Sequence, residues 1–226
     1  MALSQSFSAG LPSPVGDFWG LEPLSGRLVE ISGHRASANL TVAFGLVLEA
    51  QGKDEPVAWV TLGESTFFPP DVAESGIDLA RLAVVRVSDG TAACRAVVEL
   101  TRSGGFGLVV LDLGPGALPG VLPYFLKDKL EKGPPRARRL LKKRGGLSVP
   151  FITKLVGLAQ KTSTAVVVLT EKTRESSSLN SLISLRCEAR RSPDKPCEVE
   201  IDVIKDKRRG PGRRYREVCR APAGLR

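Results

Sequence analysis

Histidine is almost missing from this chain: His34 is the only one in 226 residues. Four cysteines, Cys94, Cys187, Cys197 and Cys219, are scattered without a C-x-x-C pair. A zinc site or a redox pair therefore lacks its ligands, and each cysteine is read as a small buried apolar side chain with its thiol reduced. Aromatic residues make up 5% of the chain, with two tryptophans and two tyrosines, too few to build a platform of stacked bases. No apolar run approaches the roughly 18 residues that span a bilayer. The opening MALSQSFSAGLPSP lacks the basic and then apolar pattern of a secretory signal, so a cytoplasmic protein with no membrane contact is expected.

Positive charge and a regular alternation of elements are present in plenty. Lys and Arg total 33 against 24 Asp and Glu, a net charge of +9. It is concentrated in residues 127–144 and 205–226, each with nine Lys/Arg against two acids, which leaves the remainder acidic. Clusters of this kind neutralise phosphates or another acidic surface.

Strand-like runs alternate with helical ones: RLVEIS then LTVAFGLVLEA, VAWVTL then PDVAESGIDLARL, AVVRV then GTAACRAVVELTRS, and GLVVLD. That order specifies an α/β fold with a mostly parallel sheet flanked by helices. LVVLD and AVVVLT are apolar throughout, as central strands covered on both faces should be. A Gly/Pro-rich and then basic stretch over 115–146 reads as a surface excursion, before a helix near 149–161. The runs LISLRCEAR and CEVEIDVIK alternate like antiparallel edge strands joined by RSPDKP. The resulting division is a core over 1–204 that includes the excursion, and a basic tail over 205–226. Phe18 and Trp19 are expected to cover an edge of that core.

Between RLVEIS and LTVAFGLVLEA lies GHRASANLT, where many nucleotide-binding proteins carry GxxxxGK[ST]. In that register from Gly33, the glycine, lysine and hydroxyl positions hold Ala38, Asn39 and Leu40, and Thr41 falls one place late. The close amide cradle, the cation and the magnesium hydroxyl are replaced together. A helix N-terminus after such a loop still attracts anions weakly.

LEPLSGRLVEISG resembles the entry to the RecA core, and VAWVTLGESTFFPPDVAESGIDLARLAVVRV and LTRSGGFGLVVLDL follow in the order RecA has them. The resemblance spans about residues 20–112 well and 147–210 loosely. Within the RecA-like superfamily, GIDLARL, LRCEARR and VIKDKRRGPG are similar to runs of ImuA, the accessory protein of bacterial damage-inducible mutagenesis cassettes. The resemblance implies a RecA-like core with antiparallel strands near its C-terminus. It places Asp112 at the end of the Walker B strand and Glu64 at the catalytic glutamate. Without a lysine and a metal, neither carboxylate has a partner that makes it catalytic, and Asp112 reads as a strand-end cap and Glu64 as a solvated turn residue.

RecA's two DNA loops follow the Walker B strand and the next core strand. Here the second is only EKTRESSSLNS, between Thr170 and Leu182, while the first region is enlarged into the excursion. Two cationic sets are the candidate contacts to DNA: Arg136, Arg138, Arg139, Lys142, Lys143 and Arg144 in the excursion, and Lys205, Lys207, Arg208, Arg209, Arg213 and Arg214 with Arg216 in the tail. They fit salt-sensitive, sequence-indifferent binding of single strands through phosphate.

The family resemblance adds partners, RecA and an ImuB-type Y-family polymerase-like protein. The expectation is a non-catalytic, nucleoid-associated adaptor in translesion synthesis (SOS mutagenesis), without a cofactor. A divergent DNA-dependent ATPase using Asp112 and Glu64 is one alternative, and a protein-only regulator such as a cell-division inhibitor is another.

Overall fold

The computed structural model describes residues 19–34, 37–62, 72–73, 75–113, 149–195 and 197–218. Its centre is an eight-stranded sheet in the order β3-β2-β4-β5-β1-β6-β7-β8. The strands are β1 (Leu28–Gly33), β2 (Val57–Leu62), β3 (Leu82–Val87), β4 (Leu108–Asp112), β5 (Ala165–Glu171), β6 (Leu185–Arg191), β7 (Glu198–Asp206) and β8 (Arg214–Val218). β1 to β6 run parallel, and β7 and β8 add antiparallel pairs. β4 and β5, apolar along their length, lie inside the parallel part, as the sequence predicts.

Helix α1 (Asn39–Gly52) buries Val42, Ala43, Leu46, Val47 and Ala50, a stripe with helical spacing. It covers one face of the sheet, packing over Val29, Ile31, Val57, Trp59 and Val110. Helices α2 (Gly90–Ser103) and α3 (Val149–Thr162) cover the other face over Ala58, Val60, Val109 and Leu111. Neighbouring residues in one strand thus enter different cores, which is why these strands read as continuous apolar runs. Asp89 starts α2 by accepting from the Thr91 and Ala92 amides at 2.8 and 2.9 Å, and Gly104 ends it at φ 69°.

Four sequence expectations are corrected. PDVAESGIDLARL, read as a helix, keeps helical residues at 72–73 and a single 3₁₀ turn at Leu79–Arg81 among the described residues. Gly76 sits at φ 90°, and the Gln51 carboxamide bonds both the N–H and the C=O of Asp78, at 2.9 and 2.8 Å, holding that backbone extended. β6 and β7 pair as predicted, but neither is an edge. β6 also pairs with β1, and β7 is flanked by β8.

Residues 205–218, set apart as a tail, complete β7, turn at 207–213 and form β8. The alternation in RYREV, with Tyr215 directed to the core and Arg214 and Arg216 outward, was masked by its charge. Trp19 covers this strand, its ring 6.0 Å from that of Tyr215. Of the cysteines, Cys187 is buried and Cys94 half-buried, whereas Cys197 is exposed in the turn before β7.

On the α1 side of β8, Glu217 is largely withdrawn from water near Glu49, and burial first, then that like charge, pushes its carboxyl up to about 7. The folded value lies above the unfolded one, so folding favours the protonated form. Stability from this group falls as pH rises from about 4.5 through 7. Glu217→Gln is expected to raise stability at pH 8 by about 1–2 kcal/mol, because part of the carboxyl still meets solvent, and to change little at pH 4. Thermal denaturation of both proteins at the two pH values measures this.

Candidate functional site

In an open parallel sheet, ligands gather at the carboxyl ends of the strands. β1 delivers Gly33 to that edge between β5 and β6. The loop that follows is tied to both neighbours. The Ala38 amide donates to Ala189 O of β6 at 3.1 Å, and the Lys172 amide donates to Gly33 O at 3.0 Å. Ser37 forms an antiparallel bridge with Arg190. Asn39 begins α1, its amide 3.2 Å from Ser37 Oγ, and its side-chain Nδ2 donates to Thr170 O of β5 at 2.9 Å. Ala38 at the N-cap has no side-chain acceptor, so Ser37 serves from one residue earlier.

The loop is filled by its own side chains. A Cβ on Gly33 would lie 2.3 Å from Ser37 Oγ and 2.5 Å from Asn39 Oδ1. Leu40 packs against the α1 side of the core, and Thr41 Oγ1 accepts from Arg191 Nη2 at 3.2 Å. A phosphate loop leaves its amides unspent for the anion. Here the Ala38 and Asn39 amides are given to Ala189 O and Ser37 Oγ.

Asp112 ends β4, buried, in register with Thr61 and Leu169. With β5 between them, Asp112 and Gly33 stand about 10–12 Å apart on this edge. Glu64 and Arg136, Arg138, Arg139, Lys142, Lys143 and Arg144 lie outside the described residues, as does Phe18.

The segment after β5 is pinned from below. Glu30, in the middle of β1 and fully buried, forms an ion pair with the buried Lys172 and accepts from Thr170 Oγ1 at 3.1 Å and the Leu179 amide at 3.0 Å. Lys172 Nζ donates to Ser177 O at 2.6 Å. Arg186, 2% exposed, donates to the carbonyls of Thr173 and Ser176 and to Ser32 Oγ. Three charged side chains beneath one short loop fix its path, where RecA's second DNA loop was expected by resemblance.

The C-terminal cations divide into two groups. Arg214 bonds Asp202, and Arg216 bonds Glu200 and pairs with Glu198. Arg190 and Arg174 also pair with Asp202. Burial pushes the Asp202 carboxyl up, but Arg214, Arg190 and Arg174 outweigh it and hold it below the usual range. Arg213 pairs with Asp206 at 2.5 Å, and Asp206 also takes Arg27 at 2.6 Å and the Arg208 amide at 2.8 Å. Lys207, Arg208 and Arg209 are exposed at the turn, and Lys205 Nζ donates to Ser181 O at 3.1 Å.

Of the predicted phosphate contacts, Arg213 and Arg214 are therefore committed to carboxylates, and Lys205, Lys207, Arg208 and Arg209 are gathered at one hairpin. The sequence reading missed Glu30, Lys172, Arg186, Arg27 and Asp206. A glutamate inside the apolar run LVEIS was the available signal, since a buried charge requires a partner.

This architecture, six parallel strands with an antiparallel extension and helices on both faces, is a RecA-like α/β fold. The crystal structure of the RadB recombinase superposes with a TM-score of 0.58 over 85% of this chain and 86% of that one, at 18% identity. Over 94 residues, 42% of this chain, the sequence is 32% identical to the RecA protein of Chlorobium limicola and 33% identical to those of Chlorobaculum parvum and Thermotoga maritima. The alignments cover 27%, 27% and 26% of those relatives, so the chain matches about a quarter of their length. No family model matches. Together these likenesses support a relationship with the RecA-like superfamily. Among the described residues no helix is long and apolar enough to cross a membrane, and no cluster of His, Cys, Asp and Glu could hold a metal ion.

Proposed function

We propose that this protein is a non-catalytic RecA-like accessory factor of DNA-damage-induced translesion synthesis, an ImuA-type adaptor. It binds single-stranded DNA weakly and links RecA with an ImuB-type Y-family polymerase-like protein. The observation that carries the non-catalytic part is the β1–α1 loop: Ser37 and Asn39 fill the space over Gly33, and the lysine position is spent on a strand carbonyl. The pinned loop after β5 favours a fixed protein surface over a DNA loop that reorders on binding. The basic segments support DNA contact through phosphate, and nucleoid association in the cytoplasm follows from it. The partners rest on the resemblance of GIDLARL, LRCEARR and VIKDKRRGPG to ImuA.

The test is three-component association. With purified RecA and an ImuB-type protein from the same source, this chain is expected to bind each separately and to bring both into one complex on size-exclusion chromatography. Failure to bind either partner would overturn the adaptor reading.

A further inference from the structure

We infer that the β7–β8 hairpin is a preformed phosphodiester-binding site, with Lys205, Lys207 and Arg208 as its contacts and Asp206 as the residue that positions them. The inference rests on the proposed DNA contact and assigns it to one element.

The hairpin is held at its base. Asp206 is buried, with its two oxygens divided between Arg27 and Arg213. It also accepts from the Arg208 amide at 2.8 Å, and its own carbonyl accepts from the Gly210 amide at 3.0 Å. Gly210 and Gly212, at φ 78° and 96°, close the turn around Pro211. Arg27 is itself fixed by Ser184 Oγ at 3.1 Å and Ser184 O at 3.0 Å. Lys205 is tied to Ser181 O, which leaves its charge in place while the stem is held. The entropy of ordering the backbone here is met by folding and not by the ligand.

The charge balance separates this turn from the sheet face beside it. On the face, Arg174, Arg190, Lys195, Arg214 and Arg216 are each paired with a carboxylate of Glu188, Glu198, Glu200 or Asp202. At the hairpin, the one carboxylate, Asp206, already has two guanidiniums, and Lys207 and Arg208 have no carboxylate partner among the described residues. The cations at the turn crowd one another: burial, then Lys207, lowers the Lys205 ammonium, and Arg208 and Arg209 add to the lowering of the buried Arg27. A polyanion relieves that repulsion. The turn K-R-R-G-P-G offers no aromatic side chain on which a base could stack, and its exposed cations match phosphate oxygens. The ligand is therefore the sugar-phosphate backbone, without sequence preference.

Fluorescence anisotropy with a labelled oligo(dT), an unrelated single strand, a duplex and labelled poly-glutamate, at several salt concentrations, tests the assignment. Lys207→Gln with Arg208→Gln is expected to weaken oligo(dT) binding about tenfold at low salt and to flatten the salt dependence by roughly one to two ions. Arg214→Gln with Arg216→Gln is expected to leave affinity within about twofold, because both guanidiniums are already paired with carboxylates. Equal losses from the two double variants, or an unchanged Lys207/Arg208 variant, would overturn the hairpin assignment while leaving DNA binding by the protein standing. Poly-glutamate bound as tightly as oligo(dT) would mark the turn as an acidic-protein site and overturn the phosphodiester assignment. Absence of DNA binding by the unmodified protein would overturn the reading beneath it.

Discussion

Glu30→Ala is expected to lower stability by about 3–5 kcal/mol, the cost of leaving a buried charge without its partner. Lys172, 4% exposed, loses its counter-ion, and the Thr170 hydroxyl and the Leu179 amide lose their acceptor. Burial already lowers the Lys172 ammonium, with Glu30 opposing that shift, so removing the carboxylate favours expulsion of the lysine and the loop above it. The double variant Glu30→Met, Lys172→Met is expected to recover much of the loss, since an apolar pair of similar volume avoids the desolvation of both charges. Urea denaturation of the three proteins measures it, and amide hydrogen exchange at Leu179 reports whether the loop opens first. A double variant no more stable than Glu30→Ala would contradict this account of the network.

Asp206→Ala is the second large effect, also about 3–5 kcal/mol. Arg27, with a side chain 3% exposed, would keep its serine contacts but lose the carboxylate that neutralises it. The Arg208 amide and Arg213 would lose their acceptor at the same time. Burial pushes the Asp206 carboxyl up, and the Arg208 amide and Arg27 outweigh it, so the folded value is lowered on balance. Its stabilisation is present above the unfolded value near 4 and is lost as pH falls through the folded one. By contrast, Arg214→Ala removes a half-exposed partner of Asp202 and is expected to cost no more than about 1 kcal/mol. Denaturant melts at pH 7 separate the two, and equal costs would refute the distinction between buried and exposed pairs.

The parallel sheet was legible because its central strands are buried on both faces: LVVLD and AVVVLT are apolar runs with no polar break before their last residues. Helix α2 was legible residue for residue because Asp89 and Gly104 mark its ends. The 75–82 stretch was misread because its apolar spacing is helical, while Gly76 and the distant Gln51 hold its backbone otherwise. β8 was hidden in a run of arginines whose partners, Asp202 and Glu200, lie opposite them on the neighbouring β7 and become partners only once the two strands pair. Ala38, Asn39 and Leu40 of the β1–α1 loop could be read from the sequence, but the ties of this loop to Thr170 and Ala189 depend on strand order. The same limit applies to Arg27 and Asp206, 179 positions apart and 2.6 Å from each other.

On the proposed reading, the loop after β1 takes no nucleotide for hydrolysis and phosphate backbone is met at the β7–β8 hairpin. Steady-state phosphate release from ATP with magnesium, with and without saturating single-stranded DNA, tests it most directly. The rate is expected to match a protein-free control under both conditions and to be unaffected by Asp112→Asn. DNA-stimulated turnover that Asp112→Asn abolishes would contradict the account.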